Sequence, residues 1–173
     1  MLGVVRRPRI IAAVVDMLAL SAHLPEVEIG TGEAVVVEGE AGGSIWVLVS
    51  GALDVRKGGE LINTVTHPGA VIGEISTLLG TPPAASVVAT EPCRLRYAAD
   101  GGSLLVSDPE VMVAVAAGLA ERLSVVMAYL ADLKHQYGDA PGVSMVSDVL
   151  GQLAHHQGPA ARPGSAREPD PMY

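Results

Sequence analysis

Phenylalanine is absent from this 173-residue chain, and aromatic residues make up only 3% of it. A core without large rings must be filled by smaller side chains, so the 49% hydrophobic content falls to Val, Leu, Ile and Ala. Valine in that abundance favours strands, because branching at Cβ packs well on a pleated surface. Cysteine is nearly missing too. The single Cys93 excludes an internal disulfide and a multi-cysteine metal site, and reads as a buried small hydrophobe. Positive charge is scarce: 11 Lys and Arg stand against 19 Asp and Glu, for a net charge of −8. Such a surface repels a phosphate backbone, so nucleic acid is not an expected partner.

Long apolar runs are the next shortage. The opening segment, Met1 to Ala22, has a basic patch and then an apolar run, as a signal peptide does. Asp16 interrupts that run, and the segment reads instead as an amphipathic helix from Pro8 to Ala22. No stretch is expected to approach the roughly 20 apolar residues of a membrane span. The expectation is therefore a cytoplasmic chain with no membrane partner.

What is present is a change of period. From Glu33 to Tyr97, short valine-rich runs recur: "EAVVVE", "SIWVLVS", "ALDVRK", "ELINTVT", "ASVVAT" and "CRLRYA", with "EGEAGGS", Gly51, "KGGE" and "HPGA" between them. Strands spaced this way, with turn residues between, predict a small antiparallel β-roll of jelly-roll or cupin-like form. "RKGGEL" predicts a tight hairpin, since glycine accepts positive φ. From Asp108 to Tyr137 the period becomes helical. Asp108 suits an N-cap, Pro109 a first turn and Glu110 the positive end of the dipole. Ala116, Leu119, Leu123, Val126, Leu130, Leu133 and Tyr137 then alternate steps of three and four, a heptad seam. Two uses of that seam are open: lying on the chain's own roll, or pairing with a second copy through Leu119, Leu123, Val126 and Leu130.

The fold class is thus mainly β with flanking helices, a roll followed by a long C-terminal helix. Residues 8–137 form the domain, 143–157 a short accessory helix, and 158–173 a proline-rich tail expected to be disordered. Only His67 falls within the roll, and His155 and His156 are adjacent, so no shared face gathers them. No Ser-His-Asp, P-loop or zinc spacing appears, and neither a metal nor enzymatic activity is expected. One short helix and a tail after the long helix are less than a winged DNA-binding module needs, so direct DNA binding is not expected.

"GEISTLLGTPPAASV" carries the most chemistry. A carboxylate heading a short helix, Glu74, can accept hydrogen bonds from a sugar hydroxyl in a partly dry pocket; its bland alternative is a solvated loop acid. Gly73 permits close backbone approach, and the start of the helix around Ile75 and Ser76 offers N–H groups to negative charge. Ala84 and Ala85 are small enough for their amides to reach an anion, and Ser86 can donate a hydrogen bond.

Together with "EGEAGGSIWVLVSGALDV", this segment resembles the cyclic nucleotide-binding domain family, of the type found in catabolite activator protein and protein kinase A regulatory subunits. The resemblance covers residues 8–137 and implies a regulatory, non-catalytic sensor of cAMP or cGMP that needs no cofactor. It implies ligand contacts from Gly73, Glu74, Ile75, Ser76, Ala84, Ala85 and Ser86, and a separate protein effector of unknown identity. The sequence departs from the family at Pro83, where an arginine usually grips the cyclic phosphate. Proline brings neither charge nor N–H. Losing such a contact costs on the order of 2–5 kcal/mol, or about thirty-fold to several thousand-fold in affinity. Arg56, Arg94 and Arg96 read as solvent-facing strand residues. The alternative function is a degenerate roll that binds no nucleotide and acts as a dimerising adaptor.

Overall fold

The computed structural model describes residues 16–137 and Val149. The first half of the expected Pro8–Ala22 helix, the helix at 143–157 and the tail at 158–173 lie outside the described residues. The chain opens with α1 (Met17–Leu20) and a 3-10 turn (Ser21–His23), then runs through β1 (Glu26–Ile29), β2 (Ala34–Val36), β3 (Ile45–Ser50), β4 (Leu53–Lys57) and β5 (Glu60–Val65). It continues with β6 (Val71–Ile72), α2 (Glu74–Leu79), β7 (Ser86–Ala89), β8 (Cys93–Ala98), α3 (Gly101–Ser107) and α4 (Pro109–Tyr137). The strands form two four-stranded antiparallel sheets, β1-β8-β3-β6 and β2-β7-β4-β5.

All six valine-rich runs are strands, and the "KGGE" turn closes β4 on β5 with Lys57 opposite Glu60. Gly58 and Gly59 take φ of 56° and 87°, the positive pair that matches strand twist in a two-residue hairpin. Three elements were not legible. β1 alternates exposed and half-buried residues in "EVEI", where two glutamates dilute the apolar signal. β6 is two residues long. α3 begins with two glycines, poor helix formers, and depends on Asp100: its carboxylate accepts the Ser103 N–H at 2.8 Å and the Ser103 hydroxyl at 2.6 Å. Those bonds hold the Asp100 carboxyl below its ordinary range.

The expected first helix is corrected at Asp16. That residue is extended (φ −72°, ψ 95°) and accepts the Leu18 N–H at 3.0 Å as the N-cap of α1, so no helix runs through it.

β3 shows why its run is apolar throughout. Ile45 and Val47 face the helices and pack with Met17, Leu104, Leu105, Val111 and Val115. Trp46 and Leu48 face the roll interior with Leu53, Ile72, Val87, Cys93 and Leu95. A strand buried on both faces loses its alternation. Burying Leu48, Leu53 or Leu95 contributes about 1.5–3 kcal/mol each. Cys93 is buried as expected, and its Sγ leaves no room opposite: a Cβ on Gly51 would lie 2.5 Å from it.

α4 starts as its sequence predicts, with Asp108 accepting the N–H groups of Glu110 and Val111 at 3.0 and 3.2 Å. Val111 and Val115 are buried in the roll's core and Leu119 packs beside them. The compact unit containing the roll ends at Leu119, and a second begins at Ala120. Within that second unit Leu123 and Val126 are 46% and 49% exposed. The expectation of no long apolar stretch is corrected here, because Pro109–Gln136 is long and apolar enough to cross a membrane. Valine, alanine and methionine between the seam positions make it so.

Candidate functional site: a cleft beneath the Gly-Glu helix

The cleft forms where three chain segments meet the head of α2. Its walls are β2 from Ala34 to Val36 with Val37, the loop residues Glu40, Ala41, Gly42 and Ser44, and then Gly73, Ser76 and Pro83. It encloses about 230 Å³. Glycine is required at its centre. Gly73 has φ 89°, and a Cβ there would sit 2.4 Å from the Ser44 carbonyl oxygen. Gly42 presses on α2 from the other side, with the site of a Cβ only 3.1 Å from the Ser76 Oγ.

The Gly73 carbonyl organises the short helix. It accepts the Ser76 hydroxyl at 2.9 Å, the Thr77 hydroxyl at 2.9 Å and the Thr77 N–H at 3.1 Å. Glu74 follows as the first residue of α2 and is only 2% exposed. A carboxylate this buried is not the solvated loop acid of the bland reading.

The exit of the segment is tied down by backbone. Gly39 N–H donates to the Pro83 carbonyl at 2.9 Å, and Glu38 N–H donates to the Ser86 hydroxyl at 2.9 Å. The Glu38 carboxylate in turn accepts the Gly58 N–H at 2.9 Å, and Lys57 Nζ donates to the Ala84 carbonyl at 3.1 Å. The loop after β2, the β4–β5 hairpin and the segment 83–86 are thereby joined.

Of the residues expected at a site, Gly73 and Ser76 line the cleft directly. Glu74 is buried beside it without lining it, Ala85 and Ser86 are half-buried, and Ala84 is exposed. Ile75 is 48% exposed and points its side chain to solvent rather than to the cleft. Sequence reasoning missed Glu40, Gly42 and Ser44, although the glycines of "EGEAGGS" marked a loop needing close approach.

Two of the arginines are exposed, and each has an acidic partner. Arg56 is 2.7 Å from Asp54 and Arg94 is 2.9 Å from Glu26. Arg96 corrects the solvent-facing reading: its side chain is 18% exposed and donates to the Leu18 carbonyl and, at 3.2 Å, to the Ser21 hydroxyl. Asp54 accepts from the Thr64 hydroxyl at 2.9 Å as well as from Arg56, and these bonds hold its carboxyl below the ordinary range.

The site thus combines an antiparallel roll, a glycine-headed helix and a small-residue segment around one cleft. Residues 26–100 match the cyclic nucleotide-binding domain family, so that stretch carries the family's sequence pattern as well as its fold. Over 72 residues the chain is 36% identical to a cAMP-dependent protein kinase regulatory subunit of Yarrowia lipolytica, a match covering 42% of this chain and 19% of that protein. The chain thus spans about a fifth of that relative's length. Among solved structures it is similar to a cyclic nucleotide-binding domain from Methylobacillus flagellatus, with TM-score 0.56, 22% identity, and coverage of 66% of this chain and 70% of that one. It is also similar to the N-terminal domain of a transcriptional regulator from Streptomyces coelicolor, with TM-score 0.50, 26% identity, and coverage of 70% and 91%.

Proposed function

We propose that the chain is a non-catalytic, cytoplasmic sensor whose cleft takes cAMP or cGMP and which passes the signal to a protein effector as a homodimer. The observation that carries this reading is the Gly73–Glu74 junction. A glycine pressed against the Ser44 carbonyl places a buried carboxylate at the head of α2, beside the cleft. In this reading Glu74 accepts from the ribose, the amides of Ala84 and Ala85 meet the phosphate, and Ser86 donates to the base. The cleft is smaller than the roughly 300 Å³ at which ligand pockets begin, so in this reading it takes only part of the nucleotide, with Glu74 and the 84–86 segment meeting the rest beside it. Of the seam residues, Leu123, Val126 and Leu130 pair the two copies in this reading, while Leu119 packs on the chain's own roll.

Pro83 and Glu40 favour a second reading. Both line the cleft, one where a cation is wanted and the other bringing a carboxylate near an incoming anion. On that reading the roll is a dimerising adaptor that binds no nucleotide. Calorimetric titration with cAMP and cGMP separates the two. The sensor reading expects a dissociation constant of tens of micromolar or above, about tenfold tighter in Pro83→Arg, whose guanidinium forks onto phosphate oxygens. Pro83→Ala is the control for loop geometry. If Pro83→Arg binds no better than Pro83→Ala, the adaptor reading replaces the sensor.

A further inference from the structure

We infer, resting on the cyclic nucleotide reading above, that Lys57 supplies the positive charge this cleft offers an anionic ligand, from strand β4 rather than from the segment that contains Pro83. The other cations of the roll are committed: Arg56 to Asp54, Arg94 to Glu26, and Arg96 to the Leu18 carbonyl, the Ser21 hydroxyl and, at 3.9 Å, Glu26. Lys57 is exposed, and among the described residues it makes no ion pair, not even with Glu60 opposite it on β5. Its Nζ instead donates to the carbonyl of Ala84, the residue after the cleft-lining Pro83.

The placement is built in by register. β4 pairs with β7 as Asp54 with Val88, Val55 with Val87 and Arg56 with Ser86. The next residue, Lys57, therefore arrives alongside Ala84 and Ala85. The hairpin that carries it is fixed to the cleft loop through Gly58 N–H and the Glu38 carboxylate. A neutral carbonyl holds an ammonium weakly. Exchanging it for an anionic oxygen gains a charge-assisted bond, and the flexible four-carbon stem makes the exchange without moving the backbone. A phosphate bound this way bridges the β4–β5 hairpin to the 83–86 segment.

The test is calorimetry on the full chain with cAMP and, as an uncharged probe of the same base and sugar, adenosine. Lys57→Gln should weaken cAMP about tenfold and leave adenosine within about twofold, while Lys57→Arg keeps most of the cAMP affinity. Adding Pro83→Arg to Lys57→Gln should restore cAMP binding. Raising salt should weaken cAMP binding by the unmodified chain more than by Lys57→Gln. If Lys57→Gln binds cAMP as well as the unmodified chain, Lys57 has no such role, although the sensor reading stands. Equal losses for cAMP and adenosine would mean that Lys57 acts only on the fold, which also overturns the inference. An unmodified chain that binds no cAMP overturns both readings.

Discussion

Replacing Gly73 with alanine tests the junction on which the site depends. Holding an L-residue at positive φ costs about 1–2 kcal/mol. The added Cβ would also lie 2.4 Å from the Ser44 carbonyl oxygen, a backbone atom that cannot rotate away as a side chain can. Relief requires the β6–α2 corner and the loop before β3 to separate by about an ångström, well beyond what close packing absorbs. That movement loosens the three hydrogen bonds accepted by the Gly73 carbonyl, worth about 1 kcal/mol each. The expected destabilisation is about 3–5 kcal/mol, which for a domain of this size lowers the melting temperature by roughly 10–20 °C. Thermal unfolding followed by circular dichroism measures it. Gly118→Ala serves as the opposite control: it lies within α4 with nothing within 4 Å of its Cβ position, and should stabilise by about 0.5–1 kcal/mol. A Gly73→Ala protein melting within about 2 °C of the unmodified chain would refute the argument that this corner is close-packed.

Asp54 should contribute to acid sensitivity. Its folded carboxyl is held low, first by the Thr64 hydroxyl and then by Arg56, so its stabilisation is complete above the unfolded pKa of about 4 and is lost as pH falls through the lower folded value. Asp54→Asn should therefore narrow the stability difference between neutral and acid pH in urea titrations, and an unchanged pH dependence would count against this. Replacing Leu123 and Leu130 together by Glu places charges on the heptad seam and should convert dimers to monomers in light scattering. A monomeric unmodified chain at micromolar concentration would sink the dimer. The sole tryptophan, Trp46, stacks on Tyr97 at 4.2 Å inside the roll, two residues from the cleft-lining Ser44. Its fluorescence should change on saturation with cAMP, and a flat titration under conditions where calorimetry shows binding would place the ligand elsewhere.

Local pattern was enough for much of this protein. Six strands, the "KGGE" hairpin, the Asp108 cap and the helix after it follow from period, turn chemistry and capping, all of which act over a few residues. The Gly73–Glu74 corner was legible only through the resemblance carried by the whole of "GEISTLLGTPPAASV", since a Gly-Glu pair alone specifies nothing. β1 and α3 escaped for the converse reason: glutamates in one and glycines in the other contradict the element that packing against β8 and Ile45 imposes. Which cation serves the cleft was beyond sequence altogether. Nothing in the order of residues distinguishes Lys57 from Arg56, Arg94 or Arg96. The folded sheets do, since they set Arg94 beside Glu26 and Arg96 beside Leu18 and Ser21, leave Arg56 with Asp54, and carry Lys57 across 27 residues to the Ala84 carbonyl. Glu38 and Ser86 meet across 48 residues in the same way. Contacts of that separation are set by how the sheets close on a common core, and no window of neighbouring residues contains that information.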